Sequence, residues 1–138
     1  MFNSDFVLIK YFTALEIKCT GAKLGEVDYN LIHSLDRVRH MFDKPIHLCV
    51  NGLTSGEHQS ELHRQSKAVD FYVKDISDTE IVKLCLIGAS IGFTDFGVYD
   101  NGSGVYSFHF ALGKELKTWV GSKTANTNWK YSGLRFKM

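Results

Sequence analysis

Apolar residues along the chain fall into two periods. From Val27 to Phe42, the residues Leu31, Leu35, Val38 and Phe42 recur at three- and four-residue spacing and draw one stripe. That spacing predicts an amphipathic helix with Asp28 at its N-cap. Pro45 blocks further helix, and beyond it Ile46, Leu48 and Val50 alternate with His47 and Cys49 as a strand does. Asn51 to Gln65 is polar, carries Gly52 and Gly56, and reads as a loop. Ala68 to Val73 reads as a second strand. Ser77-Asp-Thr-Glu80 is a capping box, and the helix it opens runs through Ile81, Leu84, Cys85 and Ile87 to about Ser90, where Gly92 stops it. Phe96 to Tyr99 and Val105 to Leu112 form a predicted hairpin around Asp100-Asn-Gly-Ser-Gly104.

The two ends are less periodic. Phe6 to Cys19 is apolar and irregular, with Phe12, Leu15 and Ile17 expected as anchors on the core. Lys114 to Met138, with Trp119, Trp129 and Tyr131, is expected to be loop-rich packing. Together these elements predict an α+β domain: a small, mostly antiparallel sheet with flanking helices.

Composition narrows the class. The chain has 138 residues, 44% of them hydrophobic and 22% charged, which suits one globular domain over residues 1–138. A net charge of +1, with Lys and Arg scattered, carries no footprint for nucleic acid or for an anionic membrane. No apolar run approaches the roughly 18 residues of a membrane span. Met1 to Lys10 carries Asp5 and lacks a basic segment followed by a long apolar run, so no cleaved signal peptide is expected. Cys19, Cys49 and Cys85 are odd in number and widely spaced, and are expected to be buried reduced thiols.

Six histidines invite a search for metal ligands, and the informative set is His63, Asp70 and His109. Along Ala68 to Tyr72, period two puts Asp70 on one strand face with Ala68 and Tyr72. A carboxylate inside an apolar strand is costly unless it is paired or liganded. His109 stands in Val105 to Leu112, where nearly every neighbour favours burial. Zinc takes imidazole and carboxylate, and catalytic sites keep one position open beside three protein ligands. The plainer alternative is a hydrogen-bonded core histidine, with Asp70 paired to Arg64 or Lys67. His47, Cys49 and His58 make a weaker metal set, because the third residue has no characteristic spacing. Asn101-Gly-Ser-Gly104 lacks the Lys-Ser/Thr and the following helix of a phosphate loop. Cys49 and Cys85 lie in apolar segments unsuited to a nucleophilic thiolate. Trp119 and Trp129 suit a sugar-binding groove if exposed, and otherwise pack the core or its rim.

His63-Arg-Gln-Ser-Lys-Ala-Val-Asp70 resembles the His-x-x-Gly-x-Ala-x-Asp signature of the D-alanyl-D-alanine carboxypeptidase-type zinc peptidases, with Ser66 in place of the glycine. Phe12 to Lys18 resembles the Phe-x-x-x-Glu-Ile/Phe element of the short, phage-associated branch of that family. Leu35-Asp-Arg-Val-Arg39 ahead of Lys44-Pro-Ile46, Ile91 to Tyr99 followed by Phe108-His109, and Lys117-Thr-Trp119 are similar to further family elements. The resemblance spans roughly residues 10 to 120. It implies a Hedgehog/DD-peptidase-like (LAS-type) fold, with zinc held by His63, Asp70 and His109. The implied partner is a peptidoglycan stem peptide cleaved next to a D-amino acid, as by a phage endolysin acting from the host cytoplasm or a virion.

The family's general base has no counterpart at its usual places. Tyr106 and Ser107 stand three and two residues before the last metal histidine, and Ala111 stands where the short branch carries the Asp of His-x-Asp. The family's Ser-Gly-Tyr-Arg element corresponds to Asn51-Gly-Leu-Thr54, so its guanidinium is also missing. Glu57, Glu61 and Asp100 are the candidate bases and Arg64 the candidate replacement cation; otherwise they are solvated surface charges. The rival expectation is a catalytically impaired relative that binds cell-wall peptides or builds a virion or tail.

Overall fold

In a computed structural model of the chain, residues 1–56, 61–101, 104–122 and 130–133 are described. The N-terminal arm forms a short 3-10 turn, Asn3–Leu8, and then helix α1, Ala14–Cys19, whose N-cap Thr13 accepts the Glu16 N–H at 3.2 Å. Phe12 and Ile17 are buried as expected, whereas Leu15 is 70% exposed. Residues two apart on a helix point about 200° apart, so α1 buries Ile17 at the expense of Leu15 and of Cys19, which is also exposed. Cys49 is half-buried and only Cys85 is buried, so the expectation of three buried thiols holds for one.

Helix α2, Tyr29–Phe42, begins at Asp28, whose carboxylate accepts the Asn30 N–H at 2.9 Å. Its stripe of Leu31, Leu35, Val38 and Phe42 is buried. Strand β1 is only His47–Leu48, shorter than its alternation suggests. The chain turns at Cys49, where the Gly52 N–H reaches the Cys49 carbonyl at 2.9 Å, and Val50 is left in solvent. A Cβ on Gly52 would lie 2.5 Å from the Asp70 carbonyl oxygen, so only glycine lets the turn lie this close to the next strand. Helix α3, Glu61–Arg64, is a single turn inside the expected loop. Strand β2 is Ala68–Lys74 and helix α4 is Asp78–Ile91, with the Ser77/Glu80 capping box formed and Gly92 closing it at φ 124°.

Strands β3, Asp95–Asp100, and β4, Val105–Ala111, form the predicted hairpin. Strands β5, Lys117–Ser122, and β6, Lys130–Gly133, replace the loop-rich packing expected there. Trp129 lies outside the described residues. The sheet runs β1-β2-β4-β3-β5-β6, antiparallel at every pairing except the parallel β3·β5. The fold is therefore α+β with a mostly antiparallel sheet. Among the described residues no helix is long and apolar enough to cross a membrane.

Register divides the sheet into two faces. Val69, Phe71, Phe96, Val98, Phe108 and Phe110 share one, in pairs such as Phe71↔Phe108 and Phe96↔Phe110. Their rings meet at 4.9 Å for Phe71–Phe110 and Phe96–Phe110, and α4 lies on them at Gly88. The other face carries Asp70, His109 and Trp119 in one row, and Tyr72, Ser107 and Tyr99 in the next.

Candidate metal centre

Asp70 and His109 are direct cross-strand partners, so the pleat sends both side chains to the same face. His63 arrives from α3, 2% exposed, under the turn that follows β1. Its Nδ1 meets the Leu53 carbonyl oxygen at 2.8 Å. A carbonyl only accepts, so Nδ1 carries the proton and Nε2 turns a lone pair inward. That nitrogen lies 3.2 Å from His109 Nδ1 and 3.3 Å from Asp70 Oδ1, and the last two atoms are 2.9 Å apart.

These three edges make a near-equilateral triangle of potential ligand atoms. A tetrahedral ion with bonds of about 2.0–2.1 Å places neighbouring ligand atoms about 3.3–3.4 Å apart, so a widening of a few tenths of an ångström, mostly along the His109–Asp70 edge, separates this triangle from a loaded one. His63, Asp70 and His109 therefore fit a metal ion. Without one, two acceptors, His63 Nε2 and Asp70 Oδ1, face each other across a single His109 nitrogen. His109 Nε2 is buried with no hydrogen-bond partner among the described residues. A buried polar atom left in this way costs about 1–3 kcal/mol, which the ring bears because Nδ1 is turned to the cluster.

Burial of Asp70 favours its neutral form, but the hydrogen bond from His109, and the hydrogen bond and positive charge that each imidazole offers when protonated, outweigh it and hold the carboxyl at about 2. Asp70 is thus an anion throughout the physiological range, as a ligand must be. Its side chain is 30% exposed, so the cluster opens to solvent on this side. Asp70 pairs with neither Arg64 nor Lys67, the alternatives its sequence context suggested.

The candidate catalytic residues do not join the cluster. Glu61 and Arg64 are exposed and bond to each other at 3.0 Å, and Glu61 stands two residues from His63, on the far side of α3. Asp100 pairs in register with Tyr106, on the face opposite His109, where desolvation, and after it the charge of Asp100, raises the Tyr106 hydroxyl pKa. Ser107 does share the metal face, and its hydroxyl receives a hydrogen bond from Asn101 Nδ2 at 3.0 Å. Glu57 and His58 lie outside the described residues, and His47 stacks on Tyr72 at 4.9 Å. Cys49 sits beside Asp70, and burial together with that carboxylate pushes its thiol up to about 12.

Three contributors are not evident in the motif. The Leu53 carbonyl orients His63 but has no side-chain signature. Trp119 lies against His109 at 5.1 Å between ring centroids and donates its Nε1–H to the Tyr99 hydroxyl at 2.6 Å. Gly97 lies under that indole: a Cβ there would be 2.6 Å from Trp119 Nε1. A glycine inside a strand pattern is the one sequence signal for such a close approach. No protein-family model, curated protein or solved structure matches the chain.

Proposed function

We propose that this chain is a zinc peptidase of the D-alanyl-D-alanine carboxypeptidase type, hydrolysing peptidoglycan stem peptides next to a D-amino acid in the manner of a phage endolysin. The observation that carries the reading is the triangle of His63 Nε2, Asp70 Oδ1 and His109 Nδ1, largely buried and open to solvent at Asp70. The resemblance of the His63-to-Asp70 segment to the family signature supports the family and the substrate class.

Bound at this triangle, zinc supplies Lewis acidity, which acidifies water and polarises a carbonyl. The chain's own groups supply orientation. The Leu53 carbonyl holds the His63 ring with Nε2 inward, and the Asp70 carboxylate stays ionised beside both imidazoles. Trp119, fixed by Tyr99, walls the cluster on the β5 side and gives a substrate chain an apolar surface beside the metal. Tyr72 and Ser107 continue the same face and offer hydroxyls to a peptide backbone.

A second reading is a metal-retaining module that binds cell-wall peptides or builds a particle without hydrolysing anything. The Glu61–Arg64 pair and the opposite orientation of Asp100 favour it, because they leave Asp70 as the one carboxylate at the cluster among the described residues. Metal analysis of untagged protein, run beside a peptidoglycan-digestion assay on the same sample, separates the readings. About one zinc per chain with released stem-peptide fragments supports the peptidase. Zinc without fragments supports the binding module, and no zinc overturns both.

A further inference from the structure

The N-terminal arm crosses the second half of α2 and leaves an open cavity of about 280 Å³ lined by Lys10, Tyr11, Asp36, Arg37, His40 and Met41. This cavity belongs to the helical layer, whereas the metal cluster lies on the other face of the sheet. Asp36 is the single carboxylate in its wall, and that carboxylate is already engaged. Its Oδ1 accepts the Tyr11 N–H at 2.7 Å and its Oδ2 accepts the Lys10 N–H at 3.1 Å. Among the described residues no ion pair joins it to the cations nearby. Lys10 and Arg37 line the cavity with exposed side chains, and the Tyr11 ring carries Lys10 Nζ at 5.2 Å and the Arg39 guanidinium carbon at 4.4 Å from its centroid. Arg39 Nη1 is shielded from solvent and has no hydrogen-bond partner among the described residues. The Tyr11 hydroxyl meets His40 Nδ1 at 2.8 Å, which fixes the imidazole at the rim.

Lys10 and Arg37 thus line the cavity beside one carboxylate spent on backbone amides. Arginine forks match the oxygens of phosphate and carboxylate groups, and lysine adds a mobile point charge. The remaining wall, Tyr11 and Met41, is apolar. A phosphate group alone leaves most of such a cavity unfilled.

We propose that this cavity binds a phosphomonoester carrying an apolar or aromatic body, with the phosphate held by Arg37 and Lys10 and the body against Tyr11 and Met41. The site is independent of the metal cluster and of any peptidase activity.

Calorimetric titration of the full chain with phenyl phosphate and, separately, with inorganic phosphate, both at one fixed ionic strength, tests it. Phenyl phosphate is expected to bind saturably and more tightly than inorganic phosphate. The double variant Lys10→Gln/Arg37→Gln alters only exposed side chains and is expected to weaken phenyl phosphate by at least about tenfold. His63→Ala is expected to leave that binding unchanged. Binding that does not saturate, equal affinity for the two probes, or affinity retained in the double variant overturns the proposal.

Discussion

His63 Nε2 stands 3.2 Å from His109 Nδ1, although 46 residues separate the two in the chain. The contact is assembled by three separate devices. Strand register puts His109 beside Asp70, the Leu53 carbonyl turns His63, and Gly52 lets the turn after β1 lie against β2. None of them is a hydrophobic contact, and among the described residues one nitrogen of the cluster has no partner, so local stability does not account for it.

Zinc should therefore stabilise the fold measurably. A ligand that binds only the native state at 100 times its Kd adds about 2.7 kcal/mol, and a thermal scan with and without chelator reads this as a rise of several degrees. His63→Ala and His109→Ala should each abolish the rise and lower bound zinc in metal analysis. A zinc-dependent rise that survives in His63→Ala would remove that residue from the ligand set.

The thiols should react unequally. Cys19 is exposed at the end of α1, whereas burial pushes the Cys85 thiol up to about 12 and closes it to reagents. Iodoacetamide applied to native protein should label Cys19 and spare Cys85, as read by peptide mass spectrometry. Urea should bring Cys85 to the same extent of labelling. Native labelling of Cys85 would place that part of α4 in solvent.

The sequence was most legible where one element decides its own structure. The α2 stripe, the Ser77/Glu80 box and the β3–β4 hairpin each rest on local chemistry, and each forms. The clustering of His63, Asp70 and His109 was legible in part because Asp70 and His109 are expensive in apolar strands without a partner, while His63 came from the resemblance of its spacing to Asp70. What was not legible depends on distant partners. Strand β5 forms because β3 offers a parallel edge, and nothing in Lys117–Ser122 alone announces this. Asp100 looked available because it adjoins a turn, but a three-residue offset from Gly97 puts it on the opposite face from His109. Leu15 and Cys19 were misplaced for a similar reason: a two-turn helix shows too little periodicity to reveal its buried side.

Acid should weaken the start of α4. Glu80 bonds to Lys44 Nζ at 2.6 Å and to the Ser77 N–H at 3.1 Å, and these contacts hold its carboxyl at about 2, below the ordinary 4.5. A depressed native pKa means that the contribution is complete above the unfolded value and is lost as pH falls through 4.5 towards 2. Urea midpoints of the native chain and of Glu80→Gln should therefore differ most at pH 7 and by clearly less at pH 3. A gap that stays constant between these pH values would show that the Glu80 charge has no part in the cap.

Gly97 and Trp119 should be energetically coupled. A Cβ at position 97 would lie 2.6 Å from Cε2 and Nε1 of the indole and 2.7 Å from Cζ2, so Gly97→Ala forces the ring off the strand. Overpacking of this kind costs about 1–3 kcal/mol, read as a lower urea midpoint. Gly25→Ala is the control, since a Cβ there meets nothing within 4 Å, and its effect should stay within about 0.5 kcal/mol. With Trp119→Ala in the background the obstruction is gone, and alanine in a strand is favoured over glycine by about 0.5–1 kcal/mol. Gly97→Ala should then be neutral or stabilising, a reversal of sign that a double-mutant cycle reports as coupling between the two residues. Equal costs in both backgrounds would mean that the indole does not lie over Gly97, and the wall beside His109 would have to be built from other residues.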